Sequence, residues 1–217
     1  MDYRWLNKVT ILNRYPPPHL NELHDIVRGA KIFTKLDLKA GYNLNRIKKG
    51  DEWKTTFRSQ YGQYEYTVIA FGLANVPPTF QHMMNEIFKN MIDHRVVIYL
   101  DNILIYSKSE EDHFALTKKV LERLQEQQLA LSLEKCEWYI FKVNFFGYII
   151  SENGIEIDQE KIRTVLESKE TATVKEVQSF LGFANFYCCY IPGYSKLTRS
   201  LTDLTKKSEK LECQAEC

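Results

Sequence analysis

Asp37 sits in Leu36-Asp37-Leu38, at the end of the apolar run Ile32-Phe33-Thr34-Lys35-Leu36, and Asp101 follows the run Val96-Val97-Ile98-Tyr99-Leu100. An acid held on an apolar, β-branched arm is rigidly displayed, and its charge must meet solvent, a cation or a positive ligand. Two such acids from adjacent strand ends form a site for a hard divalent cation. Mg²⁺ takes one or two carboxylates and completes its shell with substrate phosphates. Spacing alone leaves a second account open, in which Asp37 and Asp101 are unrelated turn acids.

Other residues carry weaker chemistry. Gln178, Gly182 and Phe186 recur at four-residue spacing, which places them on one helix face. That spacing also suits a core stripe, which Gln178 and Gly182 fit poorly. The cysteines, Cys136, Cys188, Cys189, Cys213 and Cys217, are odd in number and irregularly spaced, as expected of reduced thiols inside a cell. Cys213 and Cys217 lack the second pair or spaced His that a zinc site needs.

The composition sets wide bounds. The chain has 217 residues, with 44% apolar and 26% charged, so it can bury a core and lies far from the disordered corner. Lys plus Arg number 29 against 28 acids, so net charge neither announces nor excludes a nucleic-acid partner. Met1 opens onto Asp2-Tyr3-Arg4 without the apolar region of a signal peptide, and no apolar run approaches the roughly 18 residues of a membrane span. The expectation is a soluble intracellular protein, cytoplasmic or nuclear, not secreted and with no membrane partner.

The elements that must position the two acids follow from local pattern. Pro16-Pro17-Pro18 keeps the start extended, and a helix over 19–28 follows, ended by Gly29. Strands are expected at 32–36, 55–58 and 64–68. Pro77-Pro78 then starts a helix with Phe80, Met83, Met84, Ile87, Phe88 and Met91 on one face. Apolar runs on both sides of Asp101-Asn102 read as a tight hairpin with those two polar residues at its tip. Ser109 caps a helix running to about Leu129, and strands follow at 143–150 and 154–157. Helices are expected at 174–187 and 197–204, with fraying beyond Lys206.

These residues also carry a resemblance. Phe33-Thr34-Lys35-Leu36-Asp37-Leu38-Lys39-Ala40-Gly41-Tyr42 and Tyr99-Leu100-Asp101-Asn102-Ile103-Leu104-Ile105 resemble motifs A and C of gypsy-class reverse transcriptases of long-terminal-repeat retrotransposons. Phe71-Gly72-Leu73-Ala74-Asn75-Val76-Pro77-Pro78-Thr79-Phe80-Gln81 resembles motif B, and residues 2–10 resemble the last fingers strand. Lys135-Cys136-Glu137 and Phe145-Phe146-Gly147-Tyr148-Ile149 resemble the approach to the primer grip, and residues 178–187 resemble the thumb helix.

The resemblance implies an α+β, right-hand polymerase fold: an antiparallel palm sheet backed by helices, truncated fingers and a small helical thumb. Its parts would be fingers and palm at 1–157, thumb at 158–206 and a frayed tail at 207–217. It implies an RNA-directed DNA polymerase acting on a primed RNA or DNA template with dNTPs, as part of a Pol polyprotein whose ribonuclease H and integrase patterns this chain lacks. Asp37 and Asp101 would bridge two Mg²⁺ ions, with Mn²⁺ as a substitute. Tyr42 matches the gate against a ribose 2′-hydroxyl. Phe71, Gly72 and Gln81 match the nucleotide-binding segment. Phe146, Gly147, Gln178, Gly182 and Phe186 match primer and template contacts.

Departures from the family pattern matter as much. Asn102 stands where the family has a second motif C aspartate, replacing a full charge with a neutral amide. The chain also starts after the fingers strand whose Lys and Arg clamp the triphosphate. Ile69-Ala70 replaces the usual Met-Pro, and Asn43-Leu44-Asn45 the usual His-Gln-Ile. The alternative function is therefore a catalytically silent nucleic-acid-binding remnant or the product of a decayed retroelement.

Overall fold

In the computed structural model, residues 1–16, 18, 23–39, 41–92, 94–166, 173–188 and 191–205 are described, and the side chains of His24, Tyr42 and 164–166 are set aside. The chain divides into two compact units, Met1–Glu156 and Ile157–Cys217. Antiparallel sheets with packed helices make the fold α+β.

The first unit is organised by β1 (Ile32–Asp37), β4 (Val96–Tyr99), β5 (Asn102–Ser107) and β6 (Glu137–Ile140), hydrogen-bonded in the order β4-β5-β1-β6. Before it lie the short helices α1 (Arg4–Val9) and α2 (Leu23–Ile26), and a small hairpin of β2 (Phe57–Ser59) and β3 (Gly62–Tyr64) precedes α3 (Val76–Ile87). In β1–β5 the register runs from Ile32↔Ser107 to Asp37↔Asn102, and in β4–β5 from Val96↔Ile105 to Tyr99↔Asn102. Directly paired residues share a face. Leu36, Val96, Ile98, Ile103 and Ile105 therefore project together, onto Phe80, Met84 and Phe88 of α3 and its end and Val120 and Leu124 of α4 (Glu110–Glu126). Asp37, Asn102 and Tyr99 belong to the opposite face.

A second antiparallel sheet, β7 (Lys142–Phe145), β8 (Tyr148–Ser151) and β9 (Gly154–Ile157), has β7 beside β1. The Lys35 ammonium pairs with Glu137 of β6 and donates to the Asn144 carbonyl of β7 at 3.2 Å, so one β1 side chain ties both neighbours. In the second unit, α5 (Gln159–Leu166), α6 (Val174–Asn185), α7 (Tyr194–Leu197) and α8 (Arg199–Leu204) follow, with α6 and α8 packed together. Thr173 and Glu176 form a capping box that starts α6. No helix among the described residues is long and apolar enough to cross a membrane.

Several expectations shift. The hairpin tip is Leu100-Asp101, one residue earlier than expected, because Tyr99 pairs with Asn102. The expected strand at 55–58 is split by a 3-10 turn, Glu52–Thr55, before β2, and Val68 makes only an isolated bridge to Arg46. Helix α4 stops at Glu126 rather than near Leu129. Gln128 takes φ 56, and the N–H groups of Gln128 and Leu129 return to the carbonyls of Gln125 and Leu124, a Schellman ending made without glycine. Strand β6 was not anticipated, while α5 falls within the helical region expected from 158; residues 2–10, expected as a fingers strand, hold helix α1, and the strand expected at 143–150 is broken into β7 and β8 by the Phe146-Gly147 turn. The expected tail at 207–217 lies outside the described residues, as does part of the helix expected at 19–28.

One buried polar cluster fixes α4 to the sheet. His113, fully buried, contacts Thr34 Oγ1 through Nε2 at 2.8 Å and Ser107 Oγ through Nδ1 at 3.0 Å. Ser107 spends its proton on the Ser109 carbonyl at 2.9 Å, so it must accept from Nδ1–H. Nε2 is then the acceptor, and Thr34 donates to it while accepting the Tyr139 N–H at 3.2 Å. A second ring proton has no acceptor there, and burial holds the His113 pKa below its ordinary value. Below about pH 6.5 the unfolded chain takes up a proton that the folded one resists, so stability is present above that pH and lost as pH falls toward the folded value. Thermal unfolding followed by circular dichroism from pH 7 to 5.5 should show a falling midpoint that flattens in His113→Gln; equal slopes would remove His113 from the account.

Candidate active site

Asp37 ends β1 with its side chain 15% exposed, opposite Asn102. In an antiparallel pair this puts their Cα atoms about 4.5–5.5 Å apart. The ladder continues one step further, with the Leu38 N–H donating to the Asp101 carbonyl at 2.9 Å. Asp37 and Asp101 thus leave neighbouring strand ends at the same rim of the sheet. This juxtaposition favours a shared site over two unrelated turn acids.

Each carboxylate already has a partner, a neutral amide donor for Asp101 and a cation for Asp37. The Asn102 Nδ2 donates to Asp101 Oδ1 at 3.1 Å, and the Lys135 Nζ lies 3.7 Å from Asp37 Oδ1. Asp37 is further held from behind: its N–H reaches the Cys136 Sγ at 3.5 Å, and its carbonyl accepts from Ser132 N at 2.9 Å. Among the described residues no group of three His, Cys, Asp or Glu is placed to hold a metal. Two acceptor-only carboxylates fit the protein's share of a Mg²⁺ shell that relies on substrate phosphates for the rest.

The turn carrying Asp101 is conformationally costly. Leu100 takes φ 53, a left-handed conformation that costs a non-glycine residue about 1–2 kcal/mol. Its N–H donates to Gln81 Oε1 at 2.7 Å, and Gln81 Nε2 donates to the Ile98 carbonyl at 3.1 Å and to Asn85 Oδ1 at 2.8 Å. The resemblance assigned Gln81 to the nucleotide-binding segment; here it is fully buried, and its amide is bonded to the hairpin and to Asn85.

The remaining residues separate into groups. Phe146 and Gly147 form the two-residue turn between Phe145 and Tyr148, with φ 54 and 82, as a type I′ turn requires. The Phe146 ring packs 4.4 Å from Tyr99, the residue that leads into Leu100-Asp101, so this turn abuts the base of the acid-bearing hairpin. Phe71 is exposed and Gly72 takes φ 97, where a side chain would be strained. The Gly72 carbonyl accepts from Asn7 Nδ2 at 2.7 Å, which joins the chain start to the α3 approach. Tyr42 lies in the 3-10 turn Gly41–Leu44, and its side chain is among those set aside.

Gln178 and Gly182 on α6 and Phe186 at its C-cap form a solvent-facing strip in the second unit, with Val177 buried on the other side. A side chain added at Gly182 would meet open space. These residues are therefore not a core stripe.

Gly41 and Lys135 were not singled out at the Asp37 site by sequence. A Cβ on Gly41 would lie 3.1 Å from Phe80 Cζ and 3.2 Å from Asp101 Cβ, so the absence of a side chain there is what lets the hairpin close. Glycine after Asp37 was legible, but its neighbour Asp101 was not.

The model of the reverse transcriptase (RNA-dependent DNA polymerase) family matches residues 1–184. The Tf2-7 transposon polyprotein of Schizosaccharomyces pombe is 43% identical over 207 residues, 95% of this chain and 16% of that polyprotein. The chain therefore spans about one sixth of the curated relatives it matches. Among solved structures, the foamy viral protease-reverse transcriptase dRH in complex with double-stranded DNA aligns with TM-score 0.88 and 28% identity, covering 99% of this chain and 38% of that one. The foamy viral protease-reverse transcriptase in complex with an RNA/DNA hybrid aligns with TM-score 0.85 and 26% identity over 99% of this chain and 29% of that one.

Gly41→Ala should lower stability by about 1–2 kcal/mol, because Phe80 is packed on all sides and the Asp101 hairpin must yield. Denaturant unfolding measures this; a variant as stable as the parent would show that the rim is looser than described.

Proposed function

This chain belongs to the reverse transcriptase family, and we propose that it is the fingers-palm portion (1–157) and thumb (158–206) of an RNA-directed DNA polymerase from a long-terminal-repeat retrotransposon polyprotein. It extends a primer 3′-hydroxyl with dNTPs on an RNA or DNA template. The observation that carries this reading is the register that brings Asp37 and Asp101 to one rim.

Asp37 and Asp101 are the residues that would hold divalent cations, Mg²⁺ or Mn²⁺. When bound, such ions lower the pKa of the attacking hydroxyl and neutralise charge on the leaving pyrophosphate. The protein's own contribution is to fix the two carboxylates. The β1–β5 ladder does this for Asp37 and the Leu100 turn for Asp101, with Phe146-Gly147 supporting that turn from the side. Phe71 and Gly72, before α3, offer an exposed ring and a backbone free of a side chain as the nucleotide-facing segment, and Tyr42 would screen the sugar. Gln178, Gly182 and Phe186 would follow the minor groove of the duplex.

Asn102 argues for a second reading. Its amide occupies one Asp101 oxygen and adds no charge, which weakens both ligation and the balance against two cations. A nucleic-acid-binding protein with little or no turnover retains every other feature described.

Two measurements separate these outcomes. In primer extension on a primed homopolymer with Mg²⁺ or Mn²⁺, the unmodified chain should incorporate little dNTP. Asn102→Asp should raise incorporation about tenfold or more, and Asp37→Asn should abolish it. Efficient extension by the unmodified chain would contradict the weight given to Asn102, and extension surviving Asp37→Asn would reject the site.

Binding to a primed duplex should be independent of sequence and fall by orders of magnitude between about 50 and 200 mM salt. Changing Gln178, Gly182 and Phe186 together to residues with bulky acidic side chains should weaken it about tenfold or more. Fluorescence anisotropy unaffected by salt or by that change would exclude the α6 strip.

A further inference from the structure

Strand β4 is the edge of its sheet, so the Ile98 carbonyl and Leu100 N–H on its outer side have no strand partner. Gln81, projecting from α3, supplies both: its Nε2 donates to Ile98 O at 3.1 Å and its Oε1 accepts from Leu100 N at 2.7 Å. A primary amide here mimics one peptide unit of a missing strand. Its second Nε2 proton goes to Asn85 Oδ1 at 2.8 Å, and Asn85 Nδ2 in turn donates to the Tyr15 hydroxyl at 2.8 Å. Tyr15 sits in the extended start of the chain with its ring 4.7 Å from that of His82.

The chain of donors has one consistent direction. A flipped Gln81 amide would set its NH₂ against Leu100 N–H and its oxygen against the Ile98 carbonyl. A flipped Asn85 would face Gln81 Nε2 with another donor. Each link therefore fixes the orientation of the next, from the half-buried Tyr15 to the residue before Asp101.

We propose that Tyr15, Asn85 and Gln81 form a hydrogen-bonded relay that sets the left-handed Leu100 turn and thereby positions the Asp101 carboxylate. Gln81 is the positioning residue, and Asn85 and Tyr15 hold its amide in register. The inference rests on Asp37 and Asp101 forming the cation site. It also gives the Asn13-Arg14-Tyr15 segment, which the motifs left without a role, a link to that site.

The test is amide hydrogen exchange by NMR on the full chain, with Mn²⁺ binding measured in parallel. In Gln81→Met the Leu100 amide should exchange about tenfold or more faster, with Ile105 in the middle of β5 unchanged. Tyr15→Phe, which keeps the ring and loses only the hydroxyl, should move Leu100 in the same direction by a smaller factor, as should Asn85→Ala. Mn²⁺ affinity should fall in the same order. Leu100 exchange that is unchanged in Tyr15→Phe and Asn85→Ala, or that rises together with Ile105, would overturn the relay. A selective rise at Leu100 without loss of Mn²⁺ affinity would overturn its role in positioning Asp101. Asp37→Asn distinguishes the two claims: if it leaves Mn²⁺ binding intact the cation site is wrong, while Leu100 exchange still decides the relay. Should Gln81→Met fail to fold, Tyr15→Phe alone carries the test.

Discussion

The pairing of Asp37 with Asn102 across β1 and β5 is the constraint on which everything else depends. It places the last residue of one strand beside the first residue of the other, so the next hydrogen bond joins Leu38 to Asp101 and both acids emerge at one rim. The apolar residues on the helix-facing side hold this register in place. A slip of one residue would turn Leu36, Ile103 and Ile105 away from α3 and α4. Burial of those side chains outweighs the roughly 1–2 kcal/mol cost of Leu100 in a left-handed conformation.

Polar groups then refine what apolar packing sets. Gln81 completes the open edge of β4, His113 joins α4 to β1 and β5, and Lys35 joins β1 to β6 and β7. Each lies inside or at the margin of the core, where an unpaired donor or acceptor costs about 1–3 kcal/mol. Removing one partner therefore perturbs geometry more than removing an exposed, solvent-screened pair such as Arg95–Asp112.

Much of this was legible in the sequence, and the exceptions have physical causes. The two acid-bearing strands, the proline start of α3 and the Ser109 cap followed directly from pattern. The hairpin tip did not, because moving a two-residue turn by one position slides the strands by two and leaves the same side chains facing the core. Alternation cannot tell Leu100-Asp101 from Asp101-Asn102; Gln81, 19 positions away in sequence from the N–H it binds, helps to decide it. Strand β6 was hidden because Glu137–Ile140 is short, half-exposed and carries Tyr139 at φ 52. The bond from Gln81 to the open edge of β4 was not legible, since sequence shows a polar residue on α3 but not the backbone edge it meets.

Asn102 is where local and global preferences part. The strand pairing is satisfied by Asn as well as by Asp, so the fold gives no pressure against the amide; only the charge at the rim changes. The central claim is that Asp37 and Asp101 together form a divalent-cation site. Anomalous diffraction from crystals soaked in Mn²⁺ tests it most directly. The account predicts a peak within about 2.0–2.3 Å of oxygens from both carboxylates; the absence of any peak between them, or Mn²⁺ bound only elsewhere, would contradict it.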